Sequence, residues 1–312
     1  MKRKVSQIGP ATLMVSLPSK WVKRCGVKKG DELDVEEKEN SLNIAVERKQ
    51  ELSEIDLDIT NLDRTSIMLR IRSCYRMGYD KINIKFESQT TPHFRTGEEL
   101  NILPIIHKEV GRLVGVEIIQ QKKDFVVIKD YSASSIGDFD NTLRRIFLLT
   151  IDLSNDFLKA ISSSDKVLMS SIEEKHDTIS KFASYSLRLL NKKGYSELGK
   201  TSILYHIIDC VDMIVDIFKY AARDLANLKE MKLKKQTKEI IADIIQSLHW
   251  FYELFYRYDN NKVLQVNRNR DEVKIKINET MKDLTESENL LVMNLEHILE
   301  IIWDLVLARM SL

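Results

Sequence analysis

Hydrophobic positions recur along this chain with two different periods, and the change from one to the other divides it. Near the amino terminus the alternation is every second residue. Leu13-Met14-Val15-Ser16-Leu17, Leu33-Asp34-Val35-Glu36 and Leu42-Asn43-Ile44-Ala45-Val46 read as half-buried strands. Towards the carboxyl terminus the apolar positions fall three and four apart, and after Gly199 neither glycine nor proline interrupts the chain. This predicts long helices, over 138–161, 166–192, 199–228, 232–258, 262–284 and 287–310. Residues 60–131 mix the two periods. A helical stretch over 61–77, a strand over 80–86, a helix over 98–112 and strands near 115–120 and 125–129 predict a small α/β module. The polar stretches Glu51 to Thr60 and Ser132 to Asp140 are the expected linkers.

At the front, residues 4–17 predict a strand that turns at Gly9-Pro10. Pro18 opens a short helix that Gly26 can close in a left-handed conformation. A second hairpin follows, Leu33 to Glu37 and Leu42 to Glu47, joined through Glu39-Asn40. Four strands and one short helix cannot bury enough surface alone, so two copies are expected to pair.

The chain has 312 residues, 43% hydrophobic and 30% charged, which suits a multidomain globular protein. Its formal net charge of +1 conceals a local imbalance: no acidic residue precedes Asp31, whereas Lys2, Arg3, Lys4, Lys20, Lys23 and Arg24 all do. Such a cluster attracts a polyanion. The three cysteines lack disulfide or zinc-ligand spacing, and a reducing, cytoplasmic setting is expected. No run is apolar enough for membrane insertion.

The helical half repeats. Tyr205-His206-Ile207-Ile208-Asp209 corresponds to Glu296-His297-Ile298-Leu299-Glu300, 91 residues later, so two tandem three-helix bundles are expected. On the third helix Asp209, Asp212 and Asp216 fall within roughly 60° of arc, opposite an apolar side. On the sixth, Glu296, Glu300 and Asp304 form an i, i+4, i+8 ladder. No lysine or arginine lies between the carboxylates of either row. Like charges at this spacing repel, and a bound cation would relieve them. The second helix adds Glu173, Glu174 and Asp177, and the fifth adds Asp271 and Glu272, with Lys274 at the position equivalent to Asp177. Carboxylates on neighbouring helices supply the oxygen ligands of bundle metal sites, so all eleven are candidate metal ligands. An ordinary solvated acidic face is the alternative.

Two resemblances sharpen these expectations. The string K-V-S-Q-I-G…V-S-L-P-S-K-W…C-G-V-K-K-G-D-E-L-D-V…S-L-N-I resembles the AbrB/MazE (SpoVT-AbrB) swapped-hairpin family over about 45 residues. That likeness implies a β-barrel interleaved from two chains, with Lys2, Arg3, Lys4, Lys20, Lys23 and Arg24 at DNA. The patterns E-E-K-H-D and H-I-I-D-C-V-D-M-I-V-D, repeated in degenerate form over 138–312, resemble the PhoU family. Its members are phosphate uptake regulators built as tandem three-helix bundles that bind multinuclear metal clusters, some archaeal ones with an AbrB-like front end. Glu173, Asp177, Asp209, Asp216, Glu296 and Glu300 match its acidic motifs, whereas Tyr205 stands where the family has an acid.

The expected architecture is therefore multidomain α+β. An N-terminal swapped-hairpin β-barrel spans 1–50 and a small α/β middle module spans 60–131. All-α PhoU-like three-helix bundles span 138–230 and 231–312. The function the resemblances imply is a dimeric, phosphate-responsive transcriptional regulator of phosphate uptake, non-enzymatic, binding DNA in front and metal (Fe, Zn, Mg or Mn) and phosphate behind. The alternative is an adaptor that binds a phosphate transporter or its signalling kinase without touching DNA. Gly194 to Thr201 satisfies the P-loop expression G-x-x-x-x-G-K-[ST], but it follows the polar end of a helix where a P-loop needs a buried strand. Nucleotide hydrolysis through Lys200 is therefore not expected.

Overall fold

A computed structural model of the chain describes residues 2–38, 41–46, 53–132, 139–228 and 230–312. Two units emerge, Met1–Leu52 and Ser53–Leu312.

In the first unit, strands β1 (Val5–Ile8) and β2 (Thr12–Val15) form an antiparallel hairpin with Val5 opposite Val15. Gly9 takes φ +76° in its turn, a conformation glycine adopts without a Cβ clash. Helix α1 (Ser19–Cys25) follows Pro18 and ends at Gly26 in the left-handed conformation. Strands β3 (Leu33–Lys38) and β4 (Ser41–Val46) pair antiparallel; the expected Glu39-Asn40 connection lies outside the described residues. The two hairpins are separate two-stranded sheets, so a single chain does not close the barrel expected over 1–50. The reason is a shortage of apolar cover. None of the unit's described residues is buried, and Val5, Leu13 and Leu42 are 63%, 70% and 61% exposed. Alternation puts Val5, Leu13 and Val15 on one face of the first ribbon and Ile8 and Met14 on the other. Both faces therefore lack a covering layer among the described residues of this unit.

The second unit begins with an α/β module. Strand β5 (Glu54–Asp58) runs parallel to β6 (Lys81–Lys85), joined through helix α2 (Arg64–Met77). Strands β9 (Val116–Gln121) and β10 (Phe125–Asp130) complete a sheet of order β5-β6-β10-β9. Helix α3 (Ile102–Val110) packs with α2 over a core that includes Leu57, Ile71, Ile84, Ile106 and Val126. Asp63 caps α2 by accepting from the Thr65 and Ser66 amides, and Gly78 closes it at φ +99°.

Two expectations fail here. The linker expected over Glu51 to Thr60 contains β5, whose Glu54, Asp56 and Asp58 are exposed while Leu57 is buried. An edge strand keeps half its residues wet, and acids there disguise it as a linker. The helix expected from residue 98 starts at Ile102 instead. Residues Glu98–Asn101 form strand β8 and pair with β7 (Thr90–His93), and Gly97 in the turn takes φ +71°.

Six long helices follow: α4 (Phe139–Ser163), α5 (Lys166–Lys193), α6 (Thr201–Asn227), α7 (Lys235–Tyr256), α8 (Asn260–Thr280) and α9 (Glu286–Met310). They match the six that the 3.6-residue periodicity predicts, in two three-helix sets that share one hydrophobic core. Phe147 of α4 joins the sets by packing against Phe251 and Phe255 of α7, with ring centroids 6.1 and 4.7 Å away. The aromatic cluster around Trp250 is thus core material, and no helix among the described residues is long and apolar enough to cross a membrane.

Arg188 of α5 fastens the module to the first bundle. It is fully buried. Its Nη1 donates to the carbonyls of Tyr75 (2.7 Å), in the last turn of α2, and Tyr79 (2.9 Å), just beyond the Gly78 cap. Its Nη2 meets Asp130 at 2.5 Å and Asp80 at 3.4 Å, and the guanidinium stands 4.8 Å from the centre of the Tyr75 ring. Lys192, one turn on, pairs with Asp80, and the Asn191 amide donates to the Arg76 carbonyl. Arg188→Met keeps most of the volume but leaves the buried Asp130 carboxylate without this partner, so chemical denaturation should show a loss of about 3–5 kcal/mol. Arg188→Lys should recover only part of it, since one ammonium cannot span the same four acceptors. A loss below about 1 kcal/mol in the methionine variant would refute this role.

Candidate functional site

The acidic row of α6 lies under α2, and the module supplies a cation to two of its three members. Arg76 of α2 places Nη2 2.7 Å from Asp212 and Nη1 3.5 Å from Asp209, while its Nε donates to Ser184 of α5. Asp212 also accepts from the Ser180 hydroxyl at 2.6 Å and is buried. The expectation that this row faces outward is corrected here. Its middle member is inside the protein, and the charge that meets Asp209 and Asp212 is a guanidinium from more than a hundred residues upstream.

A chain of ion pairs continues from Asp216. His176 of α5 is buried between two carboxylates, with Nδ1 3.0 Å from Asp177 and Nε2 2.8 Å from Asp216. Asp177 pairs in turn with Arg112, just beyond α3, and Asp216 with Lys219. Glu173 pairs with Arg223 at 2.8 Å. Burial disfavours the charged imidazole, but hydrogen bonds to Asp177 and Asp216 outweigh it and raise the pKa of His176. For Asp216 burial acts upward, and the bonds from His176 and Lys219 override it to hold the carboxyl at about 2.

The second bundle settles the same conflict within itself. Arg270 of α8 grips Glu300 through Nη2 at 2.6 Å and Nε at 3.2 Å. Lys274 reaches Glu300 at 2.8 Å and Glu296 at 3.8 Å. Asp271 contacts Arg270, while Glu174, Glu272 and Asp304 are exposed. The rows of α6 and α9 meet along a cleft lined by Met213, Asp216, Tyr220, His297, Glu300 and Asp304.

As placed, these carboxylates do not fit a resident metal ion. A hard cation needs several oxygens converging at 2.0–2.6 Å, whereas eight of the eleven candidates contact an arginine or lysine. No group of three or more His, Cys, Asp or Glu among the described residues is arranged to hold one. Sequence reasoning missed Arg76 and Arg112 because nothing in the acidic helices points to the module. Lys219, one turn past Asp216, was visible on the same helix.

The other candidate residues sit in the front unit. Lys2, Arg3 and Lys4 precede β1, and Lys20, Lys23 and Arg24 lie on α1. All six are exposed, and none forms an ion pair among the described residues. The string Gly194 to Thr201 follows α5 with Gly194 as its cap, Lys200 pairs with Glu197, and no strand precedes it, so it is not a phosphate-binding loop. His206 meets only the Cys210 sulfur, at 3.6 Å.

The ion-pair chain gives the second unit a pH optimum. The contribution of the raised His176 is complete below about pH 6.5 and is lost as pH rises through its folded pKa. The depressed Asp177 and Asp216 contribute fully above about pH 4 and lose it as pH falls through their folded values. The melting temperature of the second unit should therefore peak between about pH 4 and 6.5. His176→Gln should flatten the alkaline limb, and an alkaline limb identical in the variant would contradict the pairing.

Comparison with known proteins adds two likenesses. Residues 7–52 match the family described as antidote-toxin recognition MazE, bacterial antitoxin. The phosphate transport system regulatory protein PhoU from Streptococcus pneumoniae is a solved structural neighbour at 16% identity, covering 56% of this chain and 92% of its own, with a TM-score of 0.41. No curated protein matches the chain. The chain thus joins a MazE-like front segment to a small α/β module and six long helices.

Proposed function

We propose that this protein is a regulator that binds DNA as a dimer through its front unit and is controlled by phosphate status through its helical half. The observation that carries this reading is the state of residues 1–52. A MazE-like segment presents six cations that have no acidic partners among the described residues, and two ribbons with exposed apolar residues such as Val5, Leu13, Val35 and Leu42. A second copy of the segment supplies the missing layer and doubles the positive charge. That combination suits a phosphate backbone, where basic side chains release condensed counterions.

The phosphate half of the proposal rests on the acidic motifs of the helices and their likeness to the PhoU pattern. The carboxylates, already paired, act as docking points for the module. A signal that strains α2 or α3 is therefore transmitted to the bundle through Arg76 and Arg112, and the reverse holds by linkage. Regulation fits better than catalysis, since the P-loop-like string lacks the context it needs.

Gel-shift titration with genomic promoter fragments at several salt concentrations tests the DNA-binding half. The triple substitution Lys2→Ala, Arg3→Ala, Lys4→Ala should weaken binding by ~10-fold or more and flatten the salt slope by about 0.9 per lost phosphate contact. Unchanged affinity and slope would favour an adaptor whose front unit only dimerises.

A further inference from the structure

Beside the ion-pair chain is a cavity of about 370 Å³. It is walled by the start of α2, the β7 turn, the end of α3 and the facing sides of α5 and α6. Seven cationic side chains line it against three carboxylates, Glu173, Asp177 and Asp216. Each carboxylate already has a cation, Arg223, Arg112 and Lys219 respectively, and Arg72 is committed to the buried Glu109. Arg64, Arg95 and Lys108 remain. None of these three makes a hydrogen bond or ion pair among the described residues.

Arg95 and Lys108 are exposed at the rim, whereas Arg64 is partly buried, so like-charge crowding weighs on Arg64. Burial, followed by the fields of Arg95 and Arg112, depresses the pKa of Arg64, the behaviour of a guanidinium crowded by like charges in a partly desolvated place. His93 provides an independent pointer. It is 8% exposed, its Nδ1 lies 2.9 Å from the Thr96 hydroxyl, and its Nε2 has no partner. With the hydroxyl donating to Nδ1, Nε2 carries the proton and is an unused donor in the wall of the cavity.

We propose that this cavity binds a small anion carrying at least two phosphoryl groups, through Arg64, Arg95 and Lys108 with His93 as a further donor. Three unpaired cations match a pyrophosphate-type group better than a single orthophosphate, which carries about two charges near neutrality. The volume lies at the lower end of the roughly 300–1,000 Å³ typical of small-molecule sites, so it admits a phosphate chain with or without an attached nucleoside. A concave site of this size suits a small anion and not a duplex. Because the walls come from the module and the first bundle, the anion would bridge the two, next to His176, Asp177 and Asp216. This deepens the proposed phosphate response and rests on it for regulatory meaning; anion binding itself is read independently of DNA.

Isothermal titration of the full-length protein with pyrophosphate, adenosine triphosphate and inorganic phosphate tests the site. Pyrophosphate should bind at least ~10-fold more tightly than inorganic phosphate, and Arg64→Ala with Arg95→Ala should weaken it by at least ~10-fold, each being a charge-assisted contact. Lys235→Ala, which removes an exposed lysine elsewhere, should leave it unchanged, and unaltered melting temperatures would establish that the variants fold. Equal affinity for pyrophosphate and adenosine triphosphate would identify the phosphate chain as the bound group. Tighter adenosine triphosphate would identify a nucleotide, and both outcomes support the site. No binding at millimolar concentration, equal binding of inorganic phosphate, or insensitivity to the double substitution would overturn it. So would loss of DNA affinity in the double variant without added anion, because the cavity would then be serving nucleic acid.

Discussion

A guanidinium removed from water needs acceptors, and Arg188 finds them for both of its terminal nitrogens in the α/β module while itself belonging to a bundle helix. The two carbonyls at the end of α2 and the carboxylates of Asp80 and Asp130 face it only when the module lies against α5 in one register. Breaking that register exposes or orphans several polar groups at once, so the alternatives are all expensive. The position of α2 over α6 follows, and with it the reach of Arg76 to Asp209 and Asp212.

The two bundles show two solutions to one electrostatic problem. A row of carboxylates on a helix repels itself, and the second bundle answers with Arg270 and Lys274 on its own α8. In the first bundle Lys219 and Arg223 of α6 pair with Asp216 and Glu173, and the module adds Arg112 at Asp177 and Arg76 at Asp209 and Asp212. Asp209 and Asp212 therefore depend for their counter-charge on what docks against the bundle. This makes the acidic row part of an interface, and the interface contains the basic cavity.

Much of the architecture was legible in the sequence, because helix formation follows local periodicity. The six long helices and the internal repeat were all visible, as was the Gly26 cap. What escaped was set by distant partners. Strand β5 reads as linker since Glu54, Asp56 and Asp58 face water along a sheet edge, and β8 reads as helix since its pairing with β7 is invisible without the turn at Gly97. The spacing of Asp209, Asp212 and Asp216 was correctly read as one face, but a helical wheel cannot say what that face meets. The apolar stripe of α6 marks one buried side, and Asp212 is buried opposite it by an arginine. The cavity was illegible because its cations come from α2, a β-turn, α3 and α6.

The central claim is that a guanidinium of the module, Arg76, neutralises Asp209 and Asp212 on the acidic face of the first bundle. A double-mutant cycle between Arg76→Ala and Asp212→Asn, measured by urea denaturation of the full chain, tests it most directly. The account predicts a coupling of about 1–3 kcal/mol, as expected for a partly buried charge pair. Additivity within about 0.3 kcal/mol would contradict it.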